Sequence, residues 1–393
     1  MSEDLKKFLS VFGPAWLVMI ADVDVASIVE GIEAGVIYGA VLVIVMIALT
    51  IPLYYIQDAA GRLGSTANLG LGEAIRIKYG RRVALSVSVP LAITDFLEYL
   101  AEFAGMAIGL SLLGLSVVLG LVALYVVNLA IVLTKKYRQA EAVLLPISFL
   151  LVFTLLLELV LLRPNYSELM RAMLSFRLNY AFFYVTAASI GAVIMPWMLF
   201  FHSGADARKR IGAANMKFES LETLLGSIAS EVMMAILVVF GWIISESAPD
   251  SSLSSIMGYI GSLDPMLRIM MAIGFISSGL LALMVISMAS AWGVVEAADL
   301  GPRHYYLIYV AESLPALVVA LLVRNYLALI LSLMIIYSVL LIPLLVMLGQ
   351  IVTDCSIMKG YALRGRRRSL YWAISAIVSL GSLVGLISYI LNP

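Results

Sequence analysis

The chain has 393 residues, 63% of them hydrophobic and only 13% charged, with 25 basic side chains balancing 25 acidic ones. A soluble globular domain is nearer roughly half apolar and a quarter charged, so this composition, with a mean hydropathy of +1.05, excludes that class and indicates an all-α polytopic membrane protein. Zero net charge leaves no nucleic-acid footprint, and one cysteine (Cys355) with two histidines excludes an intrachain disulfide, a cysteine metal cluster and a multi-histidine zinc site.

The opening "MSEDLKKFLSVFGPAWLV" lacks a small-residue cleavage pattern and reads as a short cytoplasmic lead. Eleven apolar stretches follow, about 10–38, 40–57, 84–112, 114–134, 142–162, 180–202, 221–245, 267–292, 304–323, 325–349 and 370–390, each near the roughly 20 residues a helical span needs. The first, sixth and eighth are the most interrupted, and the boundary between the third and fourth rests only on the glycines of "LLGLSVVLGL". The longer loops fall at 58–83, 163–179, 203–220 and 246–266. With the N-terminus inside, the inner segments carry twenty lysines and arginines and the outer ones five (Arg163, Arg171, Arg177, Arg268 and Arg324). That asymmetry predicts an inner N-terminus and an outer C-terminus, with "RGRRR" at 364–368 as part of the inner anchor.

The first span carries Asp22 and Asp24 at its centre, where an aspartate costs about 2.5–3.5 kcal/mol on insertion scales and marks a site. On a continuous helix the two would lie about 200° apart, so either an unwound segment turns both toward one cavity, or Asp22 caps the inner half-helix. The sixth span carries "GAVIMPW", where Pro196 removes a backbone donor from a helix interior. Five spans separate the two interruptions, so the second set of five is inverted relative to the first. Interrupted helices at matching positions of inverted repeats point to a transporter's binding site. The expected organisation is one transmembrane domain over 1–393, with repeats about 10–162 and 180–349 and an additional helix about 370–390.

Several side chains have chemistry suited to such a site. Asp24 at a helix break can hold a cation together with freed carbonyls. Asp95, Glu98 and Glu102 share one face of the third span, as a proton or cation path would. His202, about two turns after the sixth-span break, suits proton passage, and Glu231 lies inside the seventh span, either paired or facing a cavity. No H-E-x-x-H motif and no P-loop occur, and "GLGE" at 70–73 falls in a loop, so an intramembrane enzyme and a primary pump are disfavoured.

These residues resemble the Nramp family of divalent-metal transporters. Gly13, Pro14, Leu17, Val18, Ile20, Asp24, Glu33, Ala34 and Gly35 match its first-span pattern. Gly191, Ala192, Met195, Pro196, Leu199, His202 and Ser203 match its sixth. "QDAAGRLGSTANLGLGEAIRIKYG" and "LAEFAGMAIGL" are similar to its second span with the following loop and to its third span. The resemblance implies a LeuT-type fold, and metal ligands that carry over to Asp24, Ser27, Met195 and the Ala192 carbonyl, with Asp22 as an added carboxylate. Beside it, the residue reading keeps a proton path through Glu98, Glu102, His202 and Asp95.

The chain departs from the family pattern at named places. Ser27 replaces an asparagine, Val25-Ala26 a Pro-Gly pair, and Trp197 a histidine. Tyr99 stands at the third-span aspartate, and apolar residues around Ile330–Ile336 replace a glutamine. These, with Pro196, shape the site. The expected function is alternating-access import of a divalent cation (Mn²⁺- or Fe²⁺-like), probed at a thioether that favours such ions, with proton coupling across the plasma membrane. No cofactor, no nucleic acid and no obligatory protein partner beyond the lipid bilayer is expected. The departures motivate an alternative, a carrier of Mg²⁺ or a small cationic or polar organic solute with weak or absent proton coupling.

Overall fold

The structure is a computed structural model that describes residues 3–134, 136–176, 178–245, 258–259, 262, 264–301, 303–322 and 330–391. Of the charges counted above, Lys135, Arg177 and Arg324 lie outside the described residues, as do most of the 246–266 loop and the start of the tenth span.

In chain order the helices are α1 (Glu3–Val11), α2 (Pro14–Ala21), α3 (Val25–Tyr38), α4 (Leu42–Arg62), α5 (Leu71–Tyr79), α6 (Arg81–Leu112) and α7 (Val117–Thr134). They continue with α8 (Tyr137–Leu162), α9 (Tyr166–Met173), α10 (Tyr180–Val193), α11 (Pro196–Lys209) and α12 (Met216–Ile244). The last are α13 (Pro265–Ala298), α14 (Arg303–Leu322), α15 (Ile330–Val352), α16 (Cys355–Met358) and α17 (Gly365–Leu391). Among the described residues, nine helices are long and apolar enough to cross a membrane when α10 and α11 are taken as one. The shorter α7 and the broken pair α2/α3 complete the eleven crossings read from the sequence. The weakly marked boundary between the third and fourth spans is real: Gly114 adopts φ 71° between α6 and α7, a conformation glycine reaches without a Cβ clash.

Three expectations need correction. The eighth span is not interrupted, since α13 runs unbroken over 34 residues. Its serines do not break it: Ser277 Oγ bonds back to Ile273 O at 2.6 Å, while Ser278 Oγ reaches out of the helix to Val23 O at 2.8 Å. The 58–83 stretch is not a loop: α4 runs to Arg62, a π-helical turn covers Leu63–Ala67, and α5 follows. "GLGE" therefore opens α5 instead of lying in a loop. The leader forms α1, whose Val11 packs with Ile211 and Phe218, and the first span begins only at Pro14 after Gly13.

Two bodies flank the broken helices. α12 packs extensively on α4 and α3, while α6 packs on α13, which also holds α8. α17 covers α10 and α15. Close approach of α3 and α12 depends on glycine at one crossing: a Cβ at Gly35 would lie 2.2 Å from Val238 O, and one at Gly241 would lie 2.0 Å from Ile32 O. Small residues at such crossings let helix backbones touch where no hydrophobic effect drives association.

Candidate functional site

The first break spans Asp22–Asp24. Several of the backbone groups it frees find partners, as burial in an apolar medium favours. Val23 N donates to Ile20 O at 3.3 Å, and Val23 O accepts Ser278 Oγ of α13 at 2.8 Å. Val25 N faces Glu102 Oε2 of α6 at 3.4 Å. Asp24 is the N-cap of α3: its Oδ1 accepts Ser27 N at 2.8 Å and its carbonyl accepts Ile28 N. Val25 and Ala26, standing where stronger breakers were expected, are simply the first buried residues of α3. The carboxylate cap makes the break without them.

The second break falls at Ile194–Met195, where the backbone turns extended and Pro196 takes the first position of α11, the helical position proline tolerates. Ser27 Oγ donates to Ala192 O at 3.0 Å, which joins the two breaks directly. Trp197 Nε1 donates to Met195 Sδ at 3.0 Å, and Trp197 is fully buried. All four expected ligands thus have protein partners: Ser27 and Ala192 each other, Met195 the indole, and Asp24 Oδ1 the Ser27 N–H, with Asp24 Oδ2 left over.

What the breaks open onto is a group of carboxylates. Asp24, Glu98 and Glu102 each offer an oxygen within 4.8 Å of the others, and all three are at 0% exposure. Asp24 Oδ2, both oxygens of Glu98 and Glu102 Oε1 have no hydrogen-bond partner. Glu98 and Glu102 therefore stand with Asp24 at the break and not in a separate path. Gly105 lets α6 approach, since a Cβ there would lie 2.2 Å from Val25 Cγ2.

Asp22 is outside this group. It is the C-cap residue of α2, and its Oδ2 accepts Ser230 Oγ of α12 at 3.3 Å while Oδ1 is unpartnered. Asp22 thus stands at the end of α2 with its carboxylate turned to α12, and it is not among the grouped acids. Asp95, one face-turn before Glu98, is fully buried, and its Oδ1 lies 3.5 Å from Tyr337 Oη of α15. Tyr337, just past the apolar residues around Ile330–Ile336, is thus a polar group that the tenth span brings to Asp95. Tyr99 turns away, donating to Glu312 Oε2 of α14 at 3.0 Å. His202 is also elsewhere, with Nδ1 3.0 Å from Gln57 Oε1 and Nε2 3.1 Å from Glu219 Oε1.

The sequence reading missed several buried polar residues. Glu222 of α12 accepts Gly13 N at 2.7 Å and Trp16 N at 2.8 Å, capping α2, which has no side-chain cap of its own. Glu30 accepts Ser189 Oγ at 2.7 Å. Glu231, which the sequence placed inside the seventh span as either paired or cavity-facing, is buried with both oxygens unpartnered. On the Lys/Arg-rich side, Arg208 of α11 contacts Glu296 of α13 at 3.0 Å and stacks 4.0 Å from the Trp292 ring, and Lys209 pairs with Glu141 of α8 at 2.7 Å. The available signal was only that these are charged residues within or beside apolar spans, which cannot say what they face.

Two broken helices meeting over fully buried acids, among helices long and apolar enough to cross a membrane, fit a multi-pass membrane protein of the LeuT-type transporter class. The comparisons with known proteins agree. A family model described as "Natural resistance-associated macrophage protein-like" matches residues 15–388, and the chain belongs to the Nramp family, whose members are transporters and not enzymes. It is 32% identical over 241 residues to a divalent metal cation transporter MntH of Chromohalobacter salexigens. That match covers 58% of this chain and 56% of the relative, so it spans little more than half of the relative's length. The fold superposes on the crystal structure of an Eremococcus coleocola manganese transporter with a TM-score of 0.81 at 17% identity, covering 100% of this chain and 92% of the other. A nucleobase-cation-symport-1 family transporter in a closed conformation matches at a TM-score of 0.57 and 15% identity, over 96% of this chain and 90% of the other.

Proposed function

We propose that the chain is a secondary active importer of a divalent metal cation, working by alternating access around the Asp24–Glu98–Glu102 group. One observation carries the reading: three buried carboxylates converge at the helix break with four oxygens unpartnered. Uncompensated acids in an apolar medium are costly, and a dication supplies the missing charge. The cargo arrives between the two breaks, and the half-helices α2 and α11 rock as it leaves on the Lys/Arg-rich side. The whole chain acts as one transporter domain, with repeats about 10–162 and 180–349 and the helix about 370–390 added outside them. It sits in the plasma membrane with the N-terminus inside and the C-terminus outside, as the charge asymmetry favours.

The donor set is mostly oxygen. Ser27 and Ala192 are engaged with each other and Met195 holds the Trp197 N–H, so Mn²⁺, which suits carboxylates, fits better than softer ions. Mg²⁺ import is the second reading, favoured by the same oxygen donors. Proton coupling runs through the same acids: cargo displaces protons from Glu98 and Glu102, and Asp95 with Tyr337 takes them on. Asp22, at the end of α2 and bonded to Ser230 of α12, supports the break from outside the ligand group.

Proteoliposomes with an internal pH dye test this, with Mn²⁺ and Mg²⁺ offered separately. Mn²⁺ uptake that acidifies the lumen and is lost in Asp24→Asn is the expected result. Asparagine keeps the cap on α3, so the loss reports on the cargo site. Uptake that survives Asp24→Asn removes the metal reading, and uptake without a pH change removes the coupling.

A further inference from the structure

A second buried group stands apart from the carboxylates at the break. His202 and Asp206 lie one turn apart on α11, and Glu219 reaches them from the first turn of α12. Their ligand atoms fall within 4.8 Å of one another, and all three residues are at 0% exposure. His202 Nε2 is 3.1 Å from Glu219 Oε1 and 4.0 Å from Asp206 Oδ2. Both oxygens of Asp206 and Glu219 Oε2 have no hydrogen-bond partner.

The surroundings orient these atoms. In the tautomer that carries its proton on Nδ1, the His202 Nε2 lone pair is directed at two carboxylates, and Nδ1 lies 3.0 Å from Gln57 Oε1 of α4. This is the outer contact that fixes a ligating imidazole. Thr223 Oγ1 donates to Glu219 Oε1 at 2.8 Å. Gly61 leaves the room, since a Cβ there would lie 1.9 Å from Glu219 Oε1 and 2.8 Å from His202 Nε2. Of the nearby cations, Lys209 bonds Glu141 and Phe12 O, each at 2.7 Å, and Arg62 lies 3.7 Å from Asp58 with its Nε and Nη2 unpartnered. A lone pair facing two carboxylates in a sealed apolar interior needs a positive centre between them. Two ligands on one ion at about 2.1 Å from it are about 3–4 Å apart, so the observed separations need only small side-chain shifts.

We propose that His202, Asp206 and Glu219 form a resident site for a first-row divalent transition metal, distinct from the cargo site, that ties α11 to α12 beside α4. One imidazole and two carboxylates suit Mn²⁺, Fe²⁺, Co²⁺ or Zn²⁺ over Mg²⁺, and one carboxylate binding through both oxygens brings the count to four. The ion holds the inner half of the sixth span to the second and seventh, so these three move as one piece when the helix breaks rock.

The test uses full-length protein carrying Asp24→Asn, which silences the cargo site, purified in detergent, equilibrated with Co²⁺ and desalted. The expected result is one retained Co²⁺ per chain by elemental analysis, with the visible bands of a nitrogen- and oxygen-ligated Co²⁺. Adding Asp206→Asn should lower retention at least about tenfold. His202→Gln serves the same comparison should the Asp206 variant not remain monodisperse. No retained Co²⁺ in Asp24→Asn, or equal retention after Asp206→Asn and His202→Gln, overturns the proposal and leaves the group as a proton-sharing cluster.

Discussion

Glu98→Gln separates the effect of Glu98 on the empty site from its effect on the loaded one. Glu98 has two unpartnered oxygens and two acidic neighbours within 4.8 Å. At that separation two unit charges repel by about 3.5 kcal/mol at an effective dielectric of about 20, so full ionisation would set about 7 kcal/mol from Glu98 against the metal-free protein. Bound protons and relaxation remove most of this, and we expect Glu98→Gln to stabilise the metal-free protein by about 1–2 kcal/mol. With a dication in place the sign reverses. Each carboxylate then gains attraction of the same order as the repulsion it suffered, and losing one costs about 3 kcal/mol, or about 100-fold in affinity. The assay is thermal unfolding in detergent across a Mn²⁺ titration, paired with Mn²⁺ uptake by proteoliposomes. The metal-free melting temperature should rise, the Mn²⁺-induced shift should shrink, and half-maximal uptake should need far more Mn²⁺. A variant whose Mn²⁺-induced shift and uptake match the parent refutes the assignment of Glu98 to the cargo site.

Three other outcomes follow from the packing. Gly241→Val places a side chain 2.0 Å from the Ile32 carbonyl and should destabilise the protein by about 1–3 kcal/mol or more, read as a lower melting temperature with uptake falling in proportion to folded protein. Lys209→Met leaves Glu141 buried without its partner and should cost about 3–5 kcal/mol, whereas Lys209→Met with Glu141→Leu should recover most of the loss; a double variant no better than the single one contradicts the pairing. Asp354, beyond the end of α15, accepts a short hydrogen bond from Lys78, which holds its carboxyl below the usual carboxylate range. Its stabilising contribution is therefore complete above about pH 4, the ordinary aspartate value, and fades as pH falls through the depressed one. Asp354→Asn should cost less than about 1 kcal/mol at pH 7 for a half-buried, solvent-screened pair, read as a slightly lower melting temperature, and the gap between variant and parent should close in acid.

Where the helices stop was legible from particular residues. Pro196 enforces the second break because it lacks an N–H, and Asp24 was the right place to look in the first because a carboxylate deep in a span is costly unless used. The smoothness of α13 was not legible, since Ser277 could as well have faced a cavity as its own helix; the hydroxyl's bond to Ile273 O decides it. The 58–83 segment read as a loop because its charges broke the hydropathy, although helix formation there depends on packing and not on apolarity.

The sequence by itself determined the membrane class, the eleven crossings and the two breaks. These follow from local properties: the length of an apolar run, the missing donor of proline and the solvation cost of a carboxylate act at fixed positions along one chain. Which acids meet at the first break was decided only by tertiary structure. Asp22 and Asp24 are two residues apart yet part company, because Asp22 ends α2 toward Ser230 while Asp24 begins α3 toward α6. Glu98 and Glu102 join Asp24, and His202 joins Asp206 and Glu219, through helix contacts spanning many residues of chain. Side-chain direction depends on how each helix is rotated against its neighbours, and that rotation is set by the whole set of packed surfaces, not by any one span.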